Sequence, residues 1–296
     1  MLADSIGPHG HRLLTVKAKL PETIWNEVLT HRVFSRNSSS SRAVPVSRWI
    51  EEARSAELRV TPIRWGGNQP GMQPGDELTG DALDLAKRAW AHAASDAAYH
   101  AEMLAKRGAH KEIANQVLKP FVHTHAVISA TEWMNFFGLR LDKAAKIEIR
   151  TLAEQIWRIW NESDPEPMRP GEWHLPFIAE HDVFDHMGRV ARTQEMLCKV
   201  AVSRCARVSY ESHTTRRRST IDEDLALHDR LAAEGHWSPF EHVATPDYQA
   251  ESDGPEFALD YDGWAHAEQH GNFVGWRQYR KIRGGEAVRP LPEEYR

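Results

Sequence analysis

The sequence has few cysteines, no long apolar run and no excess of positive charge. Its two cysteines, Cys198 and Cys205, lie seven positions apart, which is neither a zinc-ligand spacing nor a disulfide framework. No apolar run approaches the ~20 residues of a membrane span, and the N-terminus lacks a basic segment followed by an apolar one. Lysine and arginine number 37 against 42 acidic residues, which gives no overall positive field to hold nucleic acid. These absences predict a reduced, cytoplasmic protein with no metal site, membrane span or nucleic-acid partner.

Residues 30–42 are rich in hydrogen-bond donors. They read Thr-His-Arg-Val-Phe-Ser-Arg-Asn-Ser-Ser-Ser-Ser-Arg, with three arginines and five serines. Arginine binds phosphate through paired N–H groups, while serine hydroxyls and successive backbone N–H groups bind the remaining oxygens. Composition alone favours the commoner interpretation, a serine-rich linker or a loop open to phosphorylation. The density of donors keeps open a second interpretation, a loop that binds a phosphate group.

The spacing of the residues in this stretch resembles the signature of the flavin-dependent thymidylate synthases, Arg-His-Arg-x-x-Ser-x-Asn-x-x-Ser-x-Arg. Thr30 replaces the leading arginine. The other six fixed positions are present as His31, Arg32, Ser35, Asn37, Ser40 and Arg42. A match of this length is far more specific than a short glycine motif.

A second segment, residues 134–140, resembles the same family. It reads Met-Asn-Phe-Phe-Gly-Leu-Arg, and the resemblance implies that Arg140 contacts and polarises the pyrimidine while Asn135 lies near flavin. An isolated arginine at such a position more often caps a helix or pairs at the surface, here with Asp142.

A third resemblance lies near the C-terminus, in residues 205–210 and 235–242. These read Cys-Ala-Arg-Val-Ser-Tyr and Gly-His-Trp-Ser-Pro-Phe-Glu-His. In typical family members such segments precede the signature, whereas here they follow it by about two hundred residues. The order indicates a circular permutation, or a long form of the family in which the N-terminal part has moved to the C-terminus. Permutation is tolerated when the termini lie close together at the surface.

The resemblance implies a role for each matched residue. The nucleotide is expected to contact Glu27, Ser40, Ser41, Arg42, Asn115 and Arg140, with Arg140 as the catalytic group. The flavin site is expected to be lined by His31, Arg32, Asn37, Asn135, Ser209, His236, Ser238 and Glu241. Four positions depart from the family: Glu27 replaces a glutamine, Thr30 and Asn115 replace arginines, and Ala43 replaces a tyrosine. Candidates to restore the lost positive charge are Arg36, Arg48 and Arg64.

The activity implied is flavin-dependent methylation of uracil C5, converting dUMP to dTMP in a homotetramer. FAD is the cofactor, and 5,10-methylenetetrahydrofolate and NADPH are the co-substrates. The departures keep open a UMP methylase or a nucleotide hydroxymethylase on the same scaffold. They also permit a non-catalytic protein that binds flavin or nucleotide. An RNA-binding role for the Ser/Arg stretch is least favoured, because the net charge is negative and aromatics are not interleaved.

The apolar patterning predicts an α+β fold, with long helices on a small mixed or antiparallel sheet in a permuted thymidylate synthase-like order. Strands are expected over 11–20, 122–129 and 206–210, and helices over 81–107, 131–161, 185–205 and 221–233. A glycine- and proline-rich ordered loop is expected over 61–80, and an aromatic tail should dock on the body. One domain is expected over 1–296, with its core in 12–160 and 200–248, a connecting segment over 162–195 and an extension over 250–296.

Overall fold

A five-stranded sheet lies at the centre of the computed structural model, which describes residues 1–184, 187–189, 192–208, 218–249 and 263–286. The strands are β1 (Ala3–Ile6), β2 (Arg12–Pro21), β3 (Ser35–Ser38), β4 (His123–Ala130) and β5 (Glu166–Pro167), in the order β3-β4-β2-β1-β5. Neighbouring strands are antiparallel except β1 and β5, which are parallel. The two strands predicted over 11–20 and 122–129 are therefore confirmed as β2 and β4, and the sheet is mixed.

Helices surround this sheet and complete the α+β fold. They are α1 (Trp25–Leu29), α2 (Val46–Arg54), α3 (Gly80–Lys106), α4 (Lys111–Ala114), α5 (Met134–Arg140), α6 (Ile147–Glu162), α7 (Glu180–Val183), α8 (Gln194–Arg207), α9 (Ile221–Ala233) and α10 (Tyr279–Arg283). A C-terminal ribbon pairs β6 (Ala244–Pro246) with β7 (Trp276–Gln278). Within the described part of the chain, none of the helices has the length and apolarity needed to cross a bilayer.

One face of the sheet packs against α1, α5 and α6. Alternate residues of β2 point to this side, where they meet the matching residues of β4 and aromatic side chains of α5. The buried cluster includes Leu14, Val16, Leu20, Ile128, Val28, Trp133, Phe136 and Ile156. Since successive side chains of a strand point to opposite faces, this packing fixes the register of β2 and β4.

The opposite face is covered at one end by the C-terminal part of the chain and open at the other. Leu13 of β2 packs with Ala244, Phe273 and Trp276, whereas Lys17 and Lys19, further along the same face of β2, are exposed. The predicted docking of the aromatic tail is confirmed. Its residues Trp264, Phe273, Trp276 and Tyr279 are all buried.

A separate layer is formed by α2, α3 and the 3₁₀ segment Asn115–Phe121. Ala94, Ala98 and Ala101 of α3 are fully buried, and their small side chains let Trp49 and Leu118 pack close to the helix. The long helix predicted over 81–107 is confirmed, and it ends before Gly108, whose φ of 84° suits glycine.

The predicted loop over 61–80 is ordered and contacts the α5–α6 connection. Leu78 N donates to Trp65 O at 2.8 Å, and the Gln73 amide donates to Ala144 O at 2.9 Å. A Cβ at position 66 would lie 2.4 Å from the Pro74 Cβ, so the close approach of the two arms requires Gly66.

Three predicted elements are wrong in extent. The helix expected over 131–161 is two helices, because residues 141–146 form a turn in which the Asp142 carboxylate accepts from Ala144 N at 2.7 Å. The helix expected from residue 185 begins at Gln194, where Thr193 caps it by accepting from Met196 N. The signature was expected to be a loop, but its centre pairs with β4 as strand β3.

The short strand expected from residue 206 is also wrong where it is described. Ala206 and Arg207 continue α8, and Val208 follows in the left-handed conformation with φ 58°. Continuing the helix places Arg204 and Arg207 three positions apart on one side, where both reach Asp224. Residues 209 and 210 lie outside the described residues.

Candidate active site

Arg140 lies at the C-terminal end of α5 and is held by the first two residues of the signature and by Glu27 of α1. Its Nε donates to His31 Nε2 at 3.0 Å, and its Nη2 donates to Thr30 Oγ1 at 3.2 Å. Its Nη1 lies 3.5 Å from a carboxylate oxygen of Glu27. The alternative pairing with Asp142 is not observed, since that carboxylate accepts from a backbone N–H instead. Residues that are 110 positions apart in the chain therefore meet at this site.

His31 is buried against the aromatic core. Its ring stacks on Phe34 with centroids 5.5 Å apart and meets the edge of Phe136 at 5.0 Å. Burial, together with the nearby charges of Arg140 and Arg36, lowers the pKa of His31 to about 4. The imidazole is therefore neutral at pH 7.

The serines of the signature form a tight turn after β3. Ala43 N and Val44 N both donate to Ser40 O, and Arg42 N donates to Ser40 Oγ at 3.2 Å. Ser40 and Arg42 are exposed and Ser41 is half-buried. The turn thus presents hydroxyl groups and one guanidinium group to solvent on a fixed backbone.

Asn115 supports this turn from below. Its side chain is fully buried, and its Nδ2 donates to Ser41 O at 2.7 Å and to Val44 O at 3.0 Å. The structure therefore places Asn115 behind the turn, where it acts on a ligand only through the backbone of residues 41–44.

The three arginines suggested as replacements differ in availability. Arg36 donates to Phe34 O and Leu29 O, and Arg64 donates to Gly75 O, so both hold backbone carbonyls. Arg48 is exposed on α2 and makes no ion pair within the described residues. Of the three, Arg48 is the one whose guanidinium group holds no backbone carbonyl among the described residues.

Asn37 is joined to the C-terminal part of the chain by a buried chain of hydrogen bonds. This series of hydrogen bonds connects, in order, Ser5, His174, Thr15, Ser129, His242, Asn37 and the Cys205 carbonyl. It crosses the covered face of the sheet and reaches α8. Both the nitrogen and the oxygen of the Asn37 amide take part in these contacts, so this side chain joins two segments beside the site.

The direction of every proton in that chain follows from its last member. The Cys205 carbonyl only accepts, so the Asn37 Nδ2 faces it, and the Asn37 oxygen accepts from His242 Nε2. Because burial lowers the pKa of His242 and keeps the ring neutral, its Nδ1 accepts from Ser129, which leaves Ser129 to accept from Thr15. Thr15 in turn accepts from His174 Nε2, whose Nδ1 accepts from Ser5. Both imidazoles are neutral with the proton on Nε2.

Acid is expected to destabilise the fold through these two histidines. Burial lowers the pKa of His174 and of His242 to about 3, whereas an unfolded histidine titrates near 6.5. The unfolded chain therefore binds protons first, and stability present above about pH 6.5 is lost as the pH falls.

The two groups should lower the free energy of unfolding by about 1 kcal/mol between pH 7 and pH 6, measured by urea unfolding. His174→Gln should reduce this pH dependence, whereas His100→Gln, at an exposed histidine, should leave it unchanged. If the free energy of unfolding of His174→Gln depends on pH as steeply as that of the wild type, His174 is not one of the responsible groups.

The matched flavin residues near the C-terminus lie around the 3₁₀ segment Ser238–His242. His236 and Ser238 are exposed, and Glu241 pairs with Arg280 of α10. Burial lowers the pKa of Arg36, and the nearby charge of Glu241 offsets part of that effect. The Nε atoms of Arg36 and Arg280 are buried without a hydrogen-bond partner. This donor set around Glu241 fits a group with anionic oxygens, as FAD has.

Two matched flavin residues, Arg32 and Asn135, are exposed. Ser209 lies outside the described residues. Sequence reasoning missed Arg280 and His174 as site-supporting residues. Nothing in the sequence relates Arg280 to Glu241 or His174 to Thr15, because each pair meets only in the tertiary structure.

The comparisons with known proteins agree with the signature. A sequence model of the family Thy1, thymidylate synthase complementing protein, matches residues 7–166, more than half of the chain. The chain belongs to this family. The matched range contains the signature, the serine turn, Asn115 and Arg140, and it ends before the C-terminal segments.

Among solved structures, the chain is similar to a UMP/dUMP methylase, PolB, from Streptomyces cacaoi. The structure with 5-Br UMP shares 21% identity over 51% of this chain and 69% of that chain, with a TM-score of 0.39. The structure with 5-Br dUMP shares 20% identity over 51% and 68% of the two chains, with a TM-score of 0.41. The search of curated proteins gave no match.

Proposed function

We propose that the protein methylates C5 of uracil in a pyrimidine nucleoside monophosphate, converting dUMP to dTMP. The proposal uses FAD as cofactor, and NADPH and 5,10-methylenetetrahydrofolate as co-substrates. The observation that carries it is the placement of Arg140 beside the signature, with both Nη groups weakly held, in a chain of the thymidylate synthase complementing family.

Methylation at C5 requires negative charge to build on the uracil ring. A cysteine thiolate that adds to the ring is one way to supply it. Cys198 and Cys205 are both buried, and burial raises the pKa of each thiol far above its usual value. The two thiols are therefore poor nucleophiles. The guanidinium group of Arg140 is left to stabilise charge on the oxygens of the ring.

The nucleotide phosphate is assigned to the serine turn. Ser40, Ser41 and Arg42 would bind its oxygens, and the exposed Arg48 would add positive charge to compensate for the arginines absent at positions 30 and 115. Glu27 lies beside Arg140, where its carboxylate would accept from the N–H of the base or from a sugar hydroxyl.

Flavin, when bound, supplies reducing electrons to the transferred carbon. The residues proposed to line its site are Arg32, Asn135, Ser209, His236, Ser238 and Glu241, with the buried His31 and the half-buried Asn37 behind them. Arg280 and Arg36 would keep Glu241 in place and offer their unpaired Nε atoms to anionic oxygens.

The proposal is tested by colour and by turnover. The purified protein should be yellow, its flavin absorbance should bleach when NADPH is added, and dUMP should be methylated when methylenetetrahydrofolate is present. A colourless protein that takes up no FAD would overturn the flavin assignment.

A UMP methylase or a nucleotide hydroxymethylase is the second candidate. It is favoured by Glu27, Thr30, Asn115 and Ala43, which all lie on the nucleotide side of the site and all depart from the family. Comparing turnover of UMP and dUMP under the same conditions, and identifying the product by its mass, separates these activities. Strict use of dUMP would contradict the UMP methylase alternative. A non-catalytic flavin or nucleotide binder would show ligand binding without turnover.

The protein is further proposed to act in the cytoplasm as a homotetramer. Apolar side chains of α1 and α5 near Arg140 are exposed, namely Leu29, Met134 and Leu139. Such a surface beside a site is typical of one completed by another subunit. Sedimentation analysis of the purified protein measures the oligomeric state, and a monomer would contradict this proposal.

Asn115→Ala is expected to weaken binding of dUMP or UMP about 10-fold and to lower the free energy of unfolding by about 1–3 kcal/mol. The reason is that two backbone carbonyls of the serine turn lose their donor in a buried setting. Calorimetric titration and urea unfolding measure the two effects. The matched control is Asn161→Ala, since the exposed Asn161 also donates to a backbone carbonyl but on α6. Unchanged nucleotide affinity in Asn115→Ala would contradict the supporting role.

A further inference from the structure

The packing of His31 conflicts with a role as a flavin contact. His31 is only 5% exposed, and its ring contacts Phe34 and Phe136, which both belong to the main buried cluster. A ring held in this way has no open face for a large planar ligand. Its Nε2, in contrast, meets Arg140.

We propose that His31 is a positioning residue, whose Nε2 lone pair holds the Nε of Arg140 so that both Nη groups point at the base of the bound nucleotide. This inference rests on the proposed function, in which Arg140 contacts the pyrimidine. A guanidinium group has donors only, so His31 must be neutral and carry its proton on Nδ1.

The unequal contacts around Arg140 support this assignment. The Nε–Nε2 distance is 3.0 Å, whereas Nη1 lies 3.5 Å from Glu27 and Nη2 lies 3.2 Å from Thr30. Glu27 and Thr30 are also more exposed than His31. A nucleotide can therefore replace the contacts of the two Nη groups while the contact of the Nε stays in place.

Thr30 fits the same arrangement. Its hydroxyl accepts from Arg140 and donates to Glu27 O at 2.7 Å. Thr30 thus supplies an acceptor that holds Nη2 of Arg140 until a nucleotide replaces this contact.

The test compares His31→Phe, which keeps the aromatic packing and removes the acceptor, with His31→Gln, which supplies a neutral acceptor. In the full-length protein, His31→Phe should lower kcat about 10–100-fold, change KM less than 3-fold and leave flavin absorbance unchanged. His31→Gln should recover part of the loss. In an Arg140→Ala background, His31→Phe should change kcat less than 2-fold, because the two residues act as one unit.

Other outcomes overturn the inference. His31→Phe could instead lose flavin and lower kcat equally in the wild-type and the Arg140→Ala backgrounds. That result would show that His31 binds the cofactor and does not position Arg140. Imidazole ¹⁵N NMR gives a readout that does not depend on turnover: His31 should carry its proton on Nδ1 at pH 7, and Arg140→Ala should shift its Nε2 signal. If the wild type neither binds FAD nor methylates a nucleotide, the proposed function fails, and the NMR result then decides the His31–Arg140 contact separately. A protonated Nε2 would overturn that contact.

Discussion

Arg140→Ala is expected to lower kcat for uracil methylation by about 10²–10³-fold, with a smaller change in KM. The charge that Arg140 stabilises develops on the ring only in the transition state, so its loss falls on kcat. The side chain is only 21% exposed, and its Nε is held by His31. The orientation of the guanidinium group is therefore set before the nucleotide binds. Steady-state assays with FAD, NADPH and methylenetetrahydrofolate measure the effect.

Two further variants sharpen this prediction. Arg140→Lys keeps the charge but loses the paired donors, so it should recover only a small part of kcat. Arg158→Ala removes an exposed arginine of α6 and should leave kcat unchanged. Retention of more than a tenth of the wild-type kcat in Arg140→Ala would show that another group polarises the base.

Arg204→Met is expected to lower the free energy of unfolding by about 3–5 kcal/mol. The Arg204 side chain donates to Asp182 at 2.6 and 2.8 Å and to Asp224 at 3.0 Å, and all three residues are buried. Burial alone would raise the pKa of Asp182, yet the hydrogen bonds from Arg204 and Ala179 hold it below its usual value. Without Arg204, Asp182 would be a buried carboxylate without its cation.

The exposed ion pair between Arg54 and Glu102 provides the matched control. Its side chains are 47% and 33% exposed, so Arg54→Met should cost less than about 1 kcal/mol. Urea unfolding at pH 7 measures both variants. A loss below about 1 kcal/mol in Arg204→Met would mean that the network contributes little to the docking of α7, α8 and α9.

The contacts of the signature strand bear on the unusual order of the segments. Strand β3 supplies Asn37, which bonds to the Cys205 carbonyl and to His242, 168 and 205 positions away. The two C-terminal segments that resemble the family thus pack directly against the signature. This is the arrangement that a circular permutation would preserve, since permutation changes connectivity and keeps spatial neighbours.

Local patterns in the sequence were enough to predict several elements. Alternation over 11–20 predicted β2, the alanine-rich stripe predicted α3, and a Thr-x-x-Glu pair marks the start of α9, where Thr220 and Glu223 cap the helix reciprocally. Elements whose ends depend on partners were predicted less well. Helix α8 extends past Cys205 because its arginines reach Asp224, a residue about twenty positions further on.

The sequence by itself determined the family, through the spacing of His31, Arg32, Ser35, Asn37, Ser40 and Arg42, and it marked Arg140 as the residue to examine. Such spacing is recognisable because it lies within short segments of the chain. Only the tertiary structure decided the surroundings of these residues: that His31 is buried against Arg140, that Asn115 lies behind the serine turn, and that Asn37 ends a buried hydrogen-bond chain. These three features arise from contacts between residues tens to hundreds of positions apart in the chain. At such contacts, burial and the available hydrogen-bond partner determine the role of each side chain. Local sequence pattern carries no information about the burial or about the partner.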